Sequence, residues 1–205
     1  MDAFSHIEAE RLRVADALEG VAEHQWPLQS LSVGWSNHFT LAHLVGSSQV
    51  NFPKAMRAMA ASGFNFGRMV NKLNVQAAQT PSAQLVTKLR ELAPSHDHPP
   101  GPAVAQLLEV VVHGEDIAYP LGVRIDHDDA ALVAAANYAK KEQMFVGVRK
   151  RIAGLRLQAT DLDWSAGEGA LVEGPLRSLV LAMCGRNAAL DALSGPGVAV
   201  LRRRV

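Results

Sequence analysis

In the stretch L-L-E-V-V-V-H-G-E-D-I-A-Y-P-L-G, Leu107 to Gly122, a carboxylate at position 109 and an imidazole at 113 stand inside a run of aliphatic residues. On a helix, residues four apart stack on one face with β-carbons about 6 Å apart. On a strand the same two would be about 13 Å apart, at about 3.3 Å per residue. Only the helix lets Glu109 and His113 hold one metal ion. An unpaired carboxylate in an apolar core costs several kcal/mol unless a cation neutralises it, which makes the pair more than a chance spacing. One turn further on, Asp116 is near the same face and is placed to accept the other imidazole N–H of His113, fixing its tautomer and orientation. Glu115 points elsewhere, toward solvent.

Two protein ligands rarely suffice, so a third must come from another helix. His43, in T-L-A-H-L-V-G-S-S, is the candidate, being again an ionisable residue in an apolar helical run. Phe39, His43, Gly46 and Val50 share one helical stripe, and Gly46 and Ser47 leave space for a pocket beside the imidazole. Taken singly, each residue has a plainer reading: a lone histidine in an apolar helix is more often a hydrogen-bonded core residue, and Glu-x-x-x-His occurs on many solvated faces. His96 and His98 fall in a proline-rich loop that does not suit a second metal cluster. His6, His24, His38 and His127 read as surface residues, and Trp35 as a packing anchor. Cys184 is the only cysteine, which excludes an internal disulfide and a multi-thiolate metal site. It reads as buried and inert. A sulfur nucleophile, if one takes part, is Cys184 or a thiol brought from outside.

The elements that would position these residues follow from periodicity and punctuation. Apolar positions from about Ala3 to Glu23 recur at the helical period, with Pro27 beyond them. A second helix spans about Phe39 to Ala61, with Ser36 or Asn37 as N-cap and Pro53 as a kink. Ser62 to Gly67 reads as a loop, Arg68 to Ala78 as a short helix, Ser82 to Ala93 as a clearer one, and Pro94 to Pro102 as an extended connection. The three valines of the opening stretch suggest a strand, but a pattern several turns long from Pro102 to Ala118, stopped by Pro120 and Gly122, makes it a helix. Another runs from about Asp128 to Val148, with acidic residues at its start and Arg149, Lys150 and Arg151 at its end. Beyond Ile152 the texture changes: G-L-R-L-Q-A-T and A-L-V-E-G read as strands separated by a turn, D-W-S-A-G-E-G. Pro175 to Leu193 reads as a helix, and V-A-V-L-R-R-R as a third strand. The expected architecture is mainly α, an up-down bundle of four or five helices over residues 1–150, followed by a small α+β unit over 151–205.

The 20 basic and 20 acidic residues cancel, so no broad field points to nucleic acid or an anionic membrane, and the expected partner is a small molecule or another protein. Neither a secretory signal nor an uninterrupted apolar run of about 18 residues is present, so a soluble, cytoplasmic protein is expected, as monomer or homodimer.

G-W followed by L-A-H-L, then L-E-V-V-V-H-G-E-D-I-A-Y-P-L-G, then G-L-R-L-Q-A-T-D-L-D-W and L-V-L-A-M-C-G-R, resembles the mycothiol-dependent maleylpyruvate isomerase family, within the DinB-like metal-binding four-helix bundles. The resemblance covers nearly the whole chain in the family's order. It implies a divalent metal, usually zinc or alternatively nickel, on His43, Glu109 and His113. It also implies a low-molecular-weight thiol cosubstrate, mycothiol. Three protein ligands leave a position open for water or sulfur, and zinc coordination deprotonates a thiol. A thiolate so formed adds to an activated double bond of a small electrophile, giving isomerisation if it leaves again and S-transfer if it stays. In this reading Arg186 is the anion binder for a carboxylated substrate. The sequence S-L-S-V-G-W lacks the proline often found before G-W in the family, and Gly63 to Gln79 offers no pattern assignable to thiol or substrate. Two other functions fit the same residues: a zinc-dependent hydrolase with Asp116 as base, and a non-catalytic ligand-binding or stress-response protein that keeps the metal.

Overall fold

The computed structural model describes residues 2–144 and 146–205, and the chain divides into two compact units, Met1–His127 and Asp128–Val205. Among the described residues the first unit holds six α-helices: α1 (Ala3–Leu18), α2 (Asn37–Ser47), α3 (Phe52–Ala61), α4 (Phe66–Ala77), α5 (Ser82–Glu91) and α6 (Ala103–Ala118). Helices α1, α6, α2 and α5 close a ring in which each packs on two others; α4 lies against α2, and α3 against α4. Val14, Leu18, Leu41, Leu44, Leu85, Leu89, Val110 and Ile117 interdigitate inside the ring. No helix of the described residues is long and apolar enough to cross a membrane.

Local chemistry accounts for the boundaries. Asp2 caps α1 by accepting the Ser5 N–H, and Ser36 caps α2 by accepting that of Phe39. The helix expected over 39–61 is two helices: α2 ends at Ser47, and Asn51 caps a new start by accepting the Lys54 N–H. Pro53 sits in the first turn of α3, where its missing N–H costs nothing, so it opens a helix instead of kinking one. The 107–118 stretch is helical as the prolines require. On α6 Gly114 lets α1 come close: a Cβ there would stand 2.7 Å from Val14 Cγ2. The fully buried Arg11 ties α1 to the end of α5 by donating to the carbonyls of Leu92 and Ser95 at 2.9 and 2.7 Å.

The second unit contains α7 (Asp129–Ala139), α8 (Val148–Arg151), β1 (Leu155–Ala159), β2 (Ser165–Ala166), β3 (Ala170–Gly174), α9 (Leu176–Met183) and α10 (Val198–Arg202). The sheet order is β2-β1-β3, with β1 antiparallel to β2 and parallel to β3. Sequence put a division at residue 150; contacts put it after His127, because α7 packs on α9. The helix expected over 128–148 ends at Ala139, and Phe145, which that expectation included, lies outside the described residues. The third strand is β2, in the segment read as a turn, and V-A-V-L-R is helical. The edge of β3 that a C-terminal strand would need is taken by the S-G-P-G turn: Ser194 bridges Glu173, and the Gly197 N–H donates to the Leu171 carbonyl at 2.8 Å. A Cβ on Gly197 would stand 2.7 Å from the Ala170 carbonyl oxygen, so only glycine permits that approach.

Candidate metal centre

Glu109 and His113 project from α6 toward His43 on α2. His43 Nε2 lies 2.8 Å from Glu109 Oε1, and the two imidazole rings meet edge to face with centroids 4.9 Å apart. One ligating atom from each of the three residues lies within 4.8 Å of the others. Their side chains keep 14, 20 and 16% of their surface exposed for His43, Glu109 and His113, so the cluster opens to solvent.

Each of the three is held from behind. Asp116 Oδ2 stands 2.9 Å from His113 Nδ1 and accepts a 2.7 Å hydrogen bond from the Ser32 hydroxyl; Asp116 itself is fully buried. His43 Nδ1 faces Asn74 Oδ1 of α4 at 3.0 Å. Ser47, whose hydroxyl donates to the Leu44 carbonyl at 3.1 Å and accepts from Gln106 Nε2 at 3.3 Å, stands beside Glu109 and favours its charged form. Trp35 lies over both imidazoles, 4.9 Å from His43 and 6.0 Å from His113 by centroid. Its loop is fastened by Gln29 Nε2, which donates to the carbonyls of Ser30, Ser32 and Trp35, and by the Leu31 N–H, which donates to the Asp116 carbonyl. Gly34 adopts φ +79°, a left-handed conformation that glycine supplies without strain just before the indole.

Burial alone would discharge both His43 and Glu109. For His43 the Glu109 hydrogen bond and charge, with help from Asn74 and Asp116, outweigh burial and raise its pKa. For Glu109, burial is outweighed by the hydrogen bond and charge of His43, the charge of His113 and the Ser47 hydroxyl, and its pKa is lowered. With acceptors at both nitrogens, His43 bonds fully only as an imidazolium. A cation at Nε2 would meet Glu109 as that proton does. The donor set fits this: two imidazole nitrogens and a carboxylate oxygen are zinc-type ligands, and at bonds of about 2.1 Å they would stand roughly 3.4 Å apart, between the 2.8 Å of the His43–Glu109 pair and the 4.8 Å within which all three atoms fall.

Of the residues singled out by sequence, four meet here: His43, Glu109, His113 and Asp116. Arg186 belongs to the second unit, where its Nη1 donates to the Cys184 carbonyl at 2.7 Å. Three expectations are corrected. His6, read as a surface residue, is buried on α1. Glu115 is fully buried, not solvated, and His127 is not a surface residue: its side chain is 1% exposed, with Nδ1 2.5 Å from Glu10 Oε2 and Nε2 3.1 Å from Glu115 Oε1. Sequence missed Ser32, Ser47 and Asn74, and took Trp35 for packing alone. Cys184 is buried as expected.

The first unit is therefore a helical bundle with a half-open histidine–carboxylate cluster at its wall. No protein-family model and no curated protein sequence matches the chain. Among solved structures it is similar to the mycothiol-dependent maleylpyruvate isomerase, with a TM-score of 0.63 at 15% identity over 95% of this chain and 91% of that one. A histidine-to-alanine mutant of that isomerase gives 0.64 at 16% over the same shares. At that identity the likeness establishes a common fold.

Proposed function

We propose that the protein is a metal-dependent enzyme in which His43, Glu109 and His113 hold one divalent cation, zinc or nickel, that serves a low-molecular-weight thiol such as mycothiol. The observation that carries the reading is the convergence of three metal-type donors, each held from behind, at a place that stays open to solvent. The common fold with a mycothiol-dependent isomerase supports the thiol. When bound, the cation would make the thiol a thiolate at neutral pH. Such a thiolate would supply a nucleophile for a conjugated double bond, released again in isomerisation and retained, with a proton taken up, in S-transfer.

The protein's own groups orient and exclude. Asp116 keeps a proton on His113 Nδ1 so that Nε2 faces the cluster. Ser47 steadies the Glu109 carboxylate, and Trp35 shields the imidazoles from water on one side. Arg186 is retained as a binder of the substrate carboxylate on guanidinium chemistry alone. The hydrolase alternative requires Asp116 to take a proton from water, which its complete burial and its bonds to His113 and Ser32 disfavour. A purely binding role predicts metal without turnover.

The test is spectrophotometric turnover of maleylpyruvate and related conjugated acids by zinc-loaded protein, with and without mycothiol. Turnover that requires the thiol supports the proposal. Turnover without it points to hydrolysis, and protein that takes up no divalent metal overturns the reading.

A further inference from the structure

Helix α4 is a poor core helix. Only Met69 and Asn74 of its residues are buried, while Phe66 and Val75 are exposed, as are Phe52 and Met56 on α3 and Phe64 between them. The buried polar position is then unexpected, because asparagine is a weak helix former whose side chain competes with the backbone. A leucine would serve α4 better if packing were all that position 74 did. Asn74 is 2% exposed, and its Oδ1 lies 3.0 Å from His43 Nδ1.

We propose that Asn74 is a positioning residue for His43: when Nε2, which faces Glu109 Oε1 at 2.8 Å, is given to a cation, the Asn74 carboxamide oxygen accepts the remaining proton from Nδ1 and fixes the ring. A neutral imidazole carries one proton, so with Nε2 ligating that proton sits on Nδ1 and needs an acceptor there. The other imidazole is set the same way, but its acceptor, Asp116, is a carboxylate on the same helix. His43 takes its acceptor from a different element and without charge. Two consequences follow. The orientation of one ligand depends on where α4 lies, and a cation on Nε2, by drawing electron density from the ring, strengthens the Nδ1–H bond and fastens α4 to the cluster.

The proposal rests on the metal reading above, and zinc binding by the wild type is its control. The first readout is the ¹⁵N NMR signature of His43 in zinc-loaded protein. The expected result is a hydrogen-bonded Nδ1–H, slow to exchange with water, in the wild type and in Asn74→Asp, which keeps an acceptor, and a fast-exchanging one in Asn74→Leu. The second readout is zinc affinity by chelator competition, where Asn74→Leu falls about 10- to 100-fold, the usual cost of losing an outer partner of a ligating histidine, and Asn74→Asp stays at or above wild type. Amide exchange across residues 66–77 should slow on zinc binding in the wild type and not in Asn74→Leu. A fast-exchanging Nδ1–H in the zinc-loaded wild type, as a carboxamide turned by 180° would leave, overturns the proposal without any variant. So does a folded Asn74→Leu protein with unchanged Nδ1–H exchange and zinc affinity. A wild type that binds no zinc refutes the metal reading and this proposal with it.

Discussion

The first unit buries histidines among carboxylates in two places, and helix α6 serves both. In one, His43, Glu109 and His113 converge, each keeps an outer partner, and the side chains are 14–20% exposed. In the other, Glu10, His127 and Glu115 are at most 1% exposed, and the imidazole spends its two nitrogens on carboxylates at opposite ends of the ring. Adjacent residues of α6, Glu115 and Asp116, thus work in different clusters. Histidine and carboxylate near one another do not make a metal centre. What distinguishes the first cluster is that one atom from each residue points at a common place and solvent reaches it. The second is closed on itself, with Arg13 adding a 3.1 Å ion pair to Glu10, and it straps the chain at residue 127 to α1 and α6.

The two clusters should part most sharply when a ligand of the first is removed. His113→Ala should reduce bound zinc from about one per chain to none and lower thiol-dependent turnover by more than the roughly 100-fold that losing an outer partner costs; metal analysis and rate assay read both. His127→Ala should do the reverse, costing about 3–5 kcal/mol in urea unfolding because it leaves two buried carboxylates without their shared cation, while zinc content is retained. Asp116→Asn, a change of matched shape, should weaken zinc by about 10- to 100-fold in chelator competition with little effect on unfolding. The smallest effect is in pH. Burial disfavours the charged His127, but the hydrogen bonds and charges of Glu10 and Glu115 outweigh it and raise its pKa above 6.5. Its contribution is therefore full below pH about 6.5 and is lost as pH rises through the raised folded value. The stability gap between wild type and His127→Gln should narrow from pH 6 to pH 9, and a widening gap would mean the histidine is buried neutral.

The half of the centre carried by one helix could be read from sequence, because period and prolines settle both the helix and the facing of Glu109, His113 and Asp116. His43 could be read because a histidine stands out in an apolar helical run. The outer partners could not: Ser32, Ser47 and Asn74 come from three segments, and a polar residue near a helix end or in a surface-like helix carries no mark of what it will face. Glu115 was misread because the face turned away from His113 was assigned to solvent, yet in a ring of helices that face meets α1. The available signal was Glu10 itself, which sits between Ile7 and Val14 on the apolar stripe of α1. The C-terminal strand failed for another reason. Four residues of V-A-V-L suit strand and helix alike, and a close-approach glycine turn had already taken the sheet edge.

His43, Glu109 and His113, and not the neighbouring histidine cluster, are proposed to hold one divalent cation. Calorimetric titration of zinc into chelator-treated wild type, His127→Gln and Glu109→Gln proteins separates the two sites. One equivalent is expected for the first two and none for the third. No binding by the wild type, or undiminished binding by Glu109→Gln, would contradict that assignment.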